Sequence, residues 1–151
     1  MKKLYFLFFL TIGFLGNAQI VNIPDANFKA KLLSSSPSNN IASTEYPNEF
    51  ENVSSYVSID TNGNGEIEQS EAALIVYLNI AGTISTDLTG IEFFTNLNYL
   101  SCNNSLISSL NVSQNLNLEK LHCHYSQLAF LDVSQNLNLK LLSAATIKFL
   151  H

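Results

Sequence analysis

The sequence predicts an α/β repeat solenoid, a short stack of parallel strands preceded by a small helical cap and a loop-rich region. Three observations carry that expectation. Val112-Ser-Gln-Asn-Leu-Asn-Leu118 recurs as Val133-Ser-Gln-Asn-Leu-Asn-Leu139, an offset of 21 residues that also carries Leu110 onto Leu131 and Leu121 onto Leu142. The same step backwards carries Leu118 to Leu97, Leu121 to Leu100 and Cys123 to Cys102, so a third rung precedes these two. Within the rungs Leu100, Cys102, Leu121 and Cys123 fall on alternate positions, the two-residue period of a strand with one buried face. One such unit cannot bury its own leucines. Stacked on a neighbour it can, and each fully buried Leu or Ile then contributes roughly 1.5–3 kcal/mol relative to exposure.

The elements follow in chain order. Met1-Lys2-Lys3 and the uncharged, Leu- and Phe-rich stretch Leu4 to Leu15 lead to Gly16-Asn17-Ala18, so residues 1–18 read as a secretory signal peptide cut before Gln19. As an uncleaved anchor the segment is too short, since about 12 apolar residues span ~18 Å as helix against a ~30 Å hydrocarbon core. The exported form would hold five lysines against twelve carboxylates, a formal charge of −7. With no Arg in the chain, nucleic-acid phosphates and anionic surfaces should be repelled. A hydrophobic content of 46% excludes disorder throughout, and 151 residues exclude a large multidomain enzyme.

Residues 19–73 form the expected cap region. Ile23 to Leu33 sets Pro24 and Asp25 early and places Ala, Phe and Leu at helical intervals, which predicts a short amphipathic helix. Ser34 to Asn40 and Glu45 to Glu51 mix Ser, Asn, Pro and acids without a periodic face and read as loops. Glu45, Glu49 and Glu51 there are expected to be hydrated side chains rather than an acid/base set. Tyr56 to Ile59 reads as a strand, and Glu68 to Leu74 as a short helix.

From the end of that strand into that helix runs a twelve-residue stretch, 60–71, whose oxygen-bearing residues recur at the spacing that closes around a hard cation. Asp60, Asn62 and Asn64 would offer side-chain oxygens, Glu66 its backbone carbonyl, Glu68 a contact through water, and Glu71 a bidentate carboxylate. Gly65 permits the sharp bend. Asn62-Gly63 and Asn64-Gly65 are also strong hairpin-turn dipeptides, but turn chemistry alone leaves Asp60 at the first position and Glu71 at the twelfth unexplained. The run resembles an EF-hand loop, which implies that Ile67 points into the hydrophobic base. A strand in front, instead of the entering helix, argues against a regulatory helix pair. Direct ligands carrying two formal charges suit structural Ca2+ binding with a dissociation constant near ~10⁻⁴ to 10⁻³ M.

Residues 74–151 hold the repeats, with a degenerate opening turn from Tyr77-Leu78-Asn79-Ile80 through Asp87 to Phe94. The pattern Leu97-x-x-Leu100-x-Cys102 followed by Ile107, Leu110 and Val112 resembles leucine-rich repeats of the internalin type. Joined to the Ile-Pro-Asp-Ala-Asn-Phe-Lys start, the calcium-like loop and Leu-Asp-Val-Ser, it is similar to secreted bacterial leucine-rich-repeat proteins of flavobacterial type. That resemblance implies a longer repeat array, so this chain is expected to be truncated, with an uncapped last rung near His151. Where such repeats usually carry Asn after the strand, this chain has Ser105, Ser126 and Ile147, so no side-chain ladder is expected there.

Strand alternation places Tyr99, Ser101, Asn103, Lys120, His122 and His124 on the opposite, exposed sheet face, the candidate surface for a protein or glycan partner. An ordinary solvated face is the competing reading. His122 and His124 share a side at strand spacing, but no carboxylate or Cys completes a transition-metal site with them. Cys102 and Cys123 occupy equivalent inward positions, close enough for a disulfide, yet side chains stacked in register point in parallel and favour two small buried hydrophobes. No nucleophile elbow, phosphate loop or zincin helix is present. The expectation is a non-enzymatic, exported recognition or adhesion module, with a non-autonomous structural piece of a longer surface protein as the alternative.

Overall fold

The computed structural model describes residues 19–144 and the backbone of 148–149. The predicted signal peptide, Ile147 and His151 lie outside the described residues.

Helix α1 (Ala26–Leu33) starts where Asp25 accepts hydrogen bonds from the Asn27 and Phe28 amides, both at 2.9 Å. That cap and the i, i+4 pair Phe28 and Leu32, both fully buried, account for a helix of only two turns. Strand β1 (Ala42–Ser43) follows, then α2 (Gln69–Ala72), β2 (Tyr77–Asn79), a 3₁₀ turn (Ile91–Phe93), β3 (Tyr99–Ser101), β4 (Lys120–His122), β5 (Phe130–Leu131), β6 (Leu141–Ser143) and β7 (Lys148–Phe149). One sheet runs in the order β1-β2-β3-β4-β6, and β5 pairs with β7 apart from it. β1 is antiparallel to β2, and every later pair in the large sheet is parallel.

The register is the repeat made visible. Leu100 lies opposite Leu121 and Leu121 opposite Leu142, the same 21-residue step as in the sequence, while the first rung is one residue longer, with Leu78 opposite Leu100. Leu78, Leu100 and Leu121 form one fully buried ridge, and Ile80, Cys102 and Cys123 a second. Ile91 and Val112, then Leu97 and Leu118, supply the far wall of the same core.

Two expectations need correction. The α/β class does not extend into the repeats, where strands are joined by turns: among the described residues the repeats hold only the 3₁₀ turn at Ile91–Phe93. A 21-residue rung rich in Asn and Ser leaves little length for a helix and offers many side chains that compete for its backbone. Tyr56–Ile59 is extended but is no strand. Val57 N–H reaches Ala42 O at 2.9 Å, whereas Ile59 N–H is taken by the Ser35 hydroxyl at 2.8 Å, so no second ladder bond forms.

An amide ladder does join the rungs, at a corner the sequence reading passed over. Asn115 Nδ2 donates to Ile91 O at 2.9 Å and Phe94 O at 3.0 Å, and Asn136 Nδ2 donates to Val112 O and Asn115 O, both at 2.9 Å. Both side chains are buried. Asn96, Asn117 and Asn138 form an outer row, donating to Ala73 O, Thr95 O and Leu116 O. Ser105 and Ser126 bond within their own rungs, to Cys102 O and Cys123 O.

Candidate functional site

The sheet face opposite the core carries an aromatic column across the strands. Tyr77 and Tyr99 stack with ring centres 4.5 Å apart and planes at 10°, because β2 and β3 place them in register. Tyr56 flanks the stack on one side and His122 on the other, at 6.2 and 5.3 Å. The expectation that all six face residues are exposed fails. Tyr99 is 7% and Ser101 3% exposed, and Asn103, Lys120, His122 and His124 are half-buried. Alternation decides which side a residue takes; it does not decide what lies on that side.

What lies there is Glu51, delivered by the loop between β1 and α2. Its carboxylate accepts from the Tyr99 hydroxyl at 3.4 Å, meets His122 Nε2 at 3.1 Å and stands 3.8 Å from Lys120 Nζ. Burial, then the neighbouring Tyr77 phenol and the Glu51 charge, push the Tyr99 phenol far above its ordinary value, so it stays a neutral donor. Farther along the face, His124 Nδ1 pairs with the Ser143 hydroxyl at 3.2 Å and its backbone N–H with Asn103 Oδ1 at 3.2 Å. Tyr125, 73% exposed, stands edge-on to His124.

The loop 60–71 is curled by its own side chains. Asp60 accepts the N–H groups of Gly63, Asn64 and Gly65, Asn62 Oδ1 that of Asn64, and Asn64 Oδ1 that of Glu66. Gly63 and Gly65 adopt φ of +71° and +81°, the conformations those turns require. Glu71 accepts from the Thr61 N–H and hydroxyl and from Glu68 N–H, completing a capping box with Glu68 at the start of α2. Burial pushes Glu71 up, but hydrogen bonds involving Glu68 and Thr61 outweigh it and hold the carboxyl down at about 2. Ile67 is fully buried.

Glu68 is turned into the loop. It is 3% exposed and accepts from the side-chain amides of Asn62 at 3.0 Å and Asn64 at 2.7 Å. The Glu66 side chain pairs with Lys29 of α1. Among the described residues no three His, Cys, Asp or Glu side chains gather as a ready metal centre.

Cys102 and Cys123 are free and buried. Burial, with the neighbouring Cys123 adding to it, pushes the Cys102 thiol far up, and burial raises Cys123 to about 11, so both are inert protonated thiols. The sequence reading also missed a groove of about 590 Å³ between successive turns, where Leu110 and Phe130 meet Asp87, Glu92 and Asp132. No helix among the described residues is long and apolar enough to cross a membrane.

Two solved structures share this architecture. The functional domain of InlJ from Listeria monocytogenes, which includes a cysteine ladder, is 28% identical with a TM-score of 0.62, the match covering 87% of this chain and 24% of that one. An internalin, InlF from Listeria monocytogenes, is 20% identical with a TM-score of 0.62, over 87% of this chain and 34% of its own. This chain therefore spans about a quarter to a third of the length of those proteins. No family model matches it, and no curated protein does. The parallel sheet and these likenesses define a leucine-rich-repeat solenoid of internalin-like fold.

Proposed function

We propose that the chain is an exported recognition or adhesion module that binds a protein, or a glycan on one, through its sheet face, without catalysis. The observation that carries this reading is the face itself: a continuous parallel sheet whose outward column runs from Tyr77 through Tyr99 to His122, bordered by Asn103, His124 and Tyr125. The exposed Tyr125 and the half-buried His122 and His124 supply contact area, and the buried Tyr77–Tyr99 stack holds His122 rigid beside it. The test is capture of exported proteins and arrayed glycans by immobilised protein. A specific partner should be lost on His122→Ala and on Asn103→Ala combined with His124→Ala, while circular dichroism shows the fold retained. Binding that survives both changes defeats the reading.

The segment 19–73 serves, in this proposal, as the cap of the first rung, with Ca2+ bracing the 60–71 loop. Asp60, Asn62, Asn64, the Glu66 carbonyl, Glu68 and Glu71 would hold the ion. Ligation by Asn62 and Asn64 would need their side chains to turn oxygen toward Glu68, giving up the bonds their Oδ1 atoms now accept from the Asn64 and Glu66 N–H groups. At ~1 mM calcium and a dissociation constant of ~10⁻⁴ M, binding stabilises the fold by about 1.4 kcal/mol. Calcium titration followed by thermal melting and terbium luminescence checks this; an unchanged melt with no luminescence removes the ion from the account.

A further inference from the structure

Three donors from two adjacent strands converge on the one carboxylate of Glu51: the Tyr99 hydroxyl on β3, and Lys120 Nζ and His122 Nε2 on β4. The segment that brings Glu51 there does not need the contact for its own shape. Asn48 N–H donates to Asn52 O and Glu51 N–H to Asn48 O, both at 2.9 Å, while Asn48 Oδ1 takes the Phe50 and Asn52 amides. Its large apolar side chains point away, Tyr46 being 69% and Phe50 75% exposed. Glu51 also sits at φ +64°, a left-handed conformation that L side chains adopt at a cost. A strained residue on a self-closed turn, reaching onto a preformed set of donors, has the geometry of a ligand supplied in cis.

We propose that Tyr99, Lys120 and His122 form a carboxylate-receiving site on the sheet face, filled in cis by Glu51, whose ligand in trans is an acidic peptide segment presenting a Glu or Asp side chain. The inference rests on the sheet face being the recognition surface. The donor set suits a carboxylate better than a phosphate, because Lys120 is its one ammonium group and the remaining donors are a neutral phenol and an imidazole. The stacked Tyr77 and Tyr99 rings beside it suit the aliphatic stem of such a side chain. Glu51 then acts as a built-in competitor, so a partner meets only the fraction of molecules in which the loop has lifted.

The purified protein and its Glu51→Gly variant are titrated with a labelled, end-blocked peptide Ser-Glu-Tyr-Glu-Ser and with its Gln counterpart, at ~0.15 M salt, where the chain's overall negative charge is screened beyond about 8 Å. Glycine removes the carboxylate and accepts the positive φ without strain, so the turn keeps its own fold while losing its hold on Tyr99, Lys120 and His122. The Glu peptide should bind Glu51→Gly at least about five-fold more tightly than the parent. That gain should vanish with the Gln peptide and on adding Lys120→Met. Equal affinity of parent and variant, or equal binding of the two peptides, overturns the proposal, and preference for a uronic-acid or sialylated glycan overturns its peptide half. Glu51→Gln repeats the test should the glycine variant melt early. The rate of amine acetylation at Lys120, read by mass spectrometry, separates the two levels. Faster acetylation without peptide binding removes the carboxylate site yet leaves the sheet face open to its own test by the Asn103 and His124 variants.

Discussion

Replacing Asn115 by Ala tests the amide ladder that joins the rungs. Its Nδ2 donates to Ile91 O and Phe94 O from a side chain with no solvent exposure. Each carbonyl keeps a second partner, since Phe94 N–H also donates to Ile91 O and Leu97 N–H to Phe94 O, both at 3.0 Å. The loss is therefore two net hydrogen bonds at about 1 kcal/mol each, not two orphaned acceptors, and the cost of the space the amide vacates is roughly offset by removing the buried, unpartnered Asn115 Oδ1. The sum is about 2 kcal/mol, or roughly 8 °C in melting temperature at about 4 °C per kcal/mol for a chain of this size. Urea unfolding followed by circular dichroism should show a lower midpoint with an unchanged slope.

Asn115→Asp sharpens the test, because it keeps the shape and removes the donor. A carboxylate there would face the same two carbonyl oxygens in a buried position, a cost of about 3–5 kcal/mol for an uncompensated charge. Aspartate should be worse than alanine. A stability within about 0.5 kcal/mol of the parent for Asn115→Ala, or equal effects of the two substitutions, would refute the assignment of Asn115 as the donor that ties one rung to the next.

Other perturbations probe the amino-terminal contacts and one strained position. A Cβ on Gly90 would stand 2.8 Å from Ile23 Cγ1 and 3.1 Å from Asn22 O, at φ +107°, so Gly90→Ala should lower stability by about 3 kcal/mol; a melt lowered by less than about 4 °C contradicts that packing. Asp25 caps α1 and also takes the Thr86 and Asp87 amides, so Asp25→Ala should cost about 1–2 kcal/mol by urea unfolding. Burial pushes the Asp25 carboxyl up, but the Phe28, Thr86, Asp87 and Asn27 amides hold it below its ordinary 3.8. Its folded pKa being depressed, its contribution is present above that value and lost as pH falls through the folded one; melts of Asp25→Asn between neutral and strongly acid pH should lack this share of the loss. Tyr125 sits at φ +55° where the rung before it has Asn104 at φ +53°, so Tyr125→Asn should raise stability by about 0.5–1 kcal/mol, its exposed contact with His124 being worth less than the strain relieved; a lower melting temperature would show the opposite balance.

The register of the sheet was legible because a one-residue slip would turn Leu100, Leu121 and Leu142 out of the core, so the 21-residue period leaves a single pairing. Helix α1 was legible from Asp25 and the spacing of Phe28 and Leu32 for a similarly local reason. The ladder was written in the verbatim Gln-Asn-Leu-Asn itself. The positions after the strands, Ser105 and Ser126, bond only within their own rungs, whereas the amides that cross between rungs sit before the strands, at Asn115 and Asn136. Alternation gives Tyr99 and Ser101 the correct side of the sheet but the wrong exposure, because Glu51 lies 48 residues from Tyr99 and 71 from His122 in a segment with no repeat to announce it. Periodicity reports on neighbours that recur, and a unique loop laid over a periodic surface leaves no periodic trace.

That loop's position follows from how the first rung is closed. A solenoid's outermost strand presents an unpaired edge, and here β1 pairs with it in the antiparallel sense through Ala42 and Ser43, with Ala42 and Ser43 both fully buried. A strand of two residues ends at once, so the chain leaves it beside Tyr77 and must travel along or over the sheet before returning to the 60–71 loop. Ser43 and Glu45 start that excursion: Ser43 Oγ takes the Glu45 N–H, and the Glu45 carboxylate gathers the Ser54 and Ser55 amides, closing the loop at its base. The tip then carries Glu51 to Tyr99, Lys120 and His122. Covering the edge and covering the face are thus one structural event, so the contact that shields the outward sheet face is made by the same segment that protects the solenoid from pairing at its first strand.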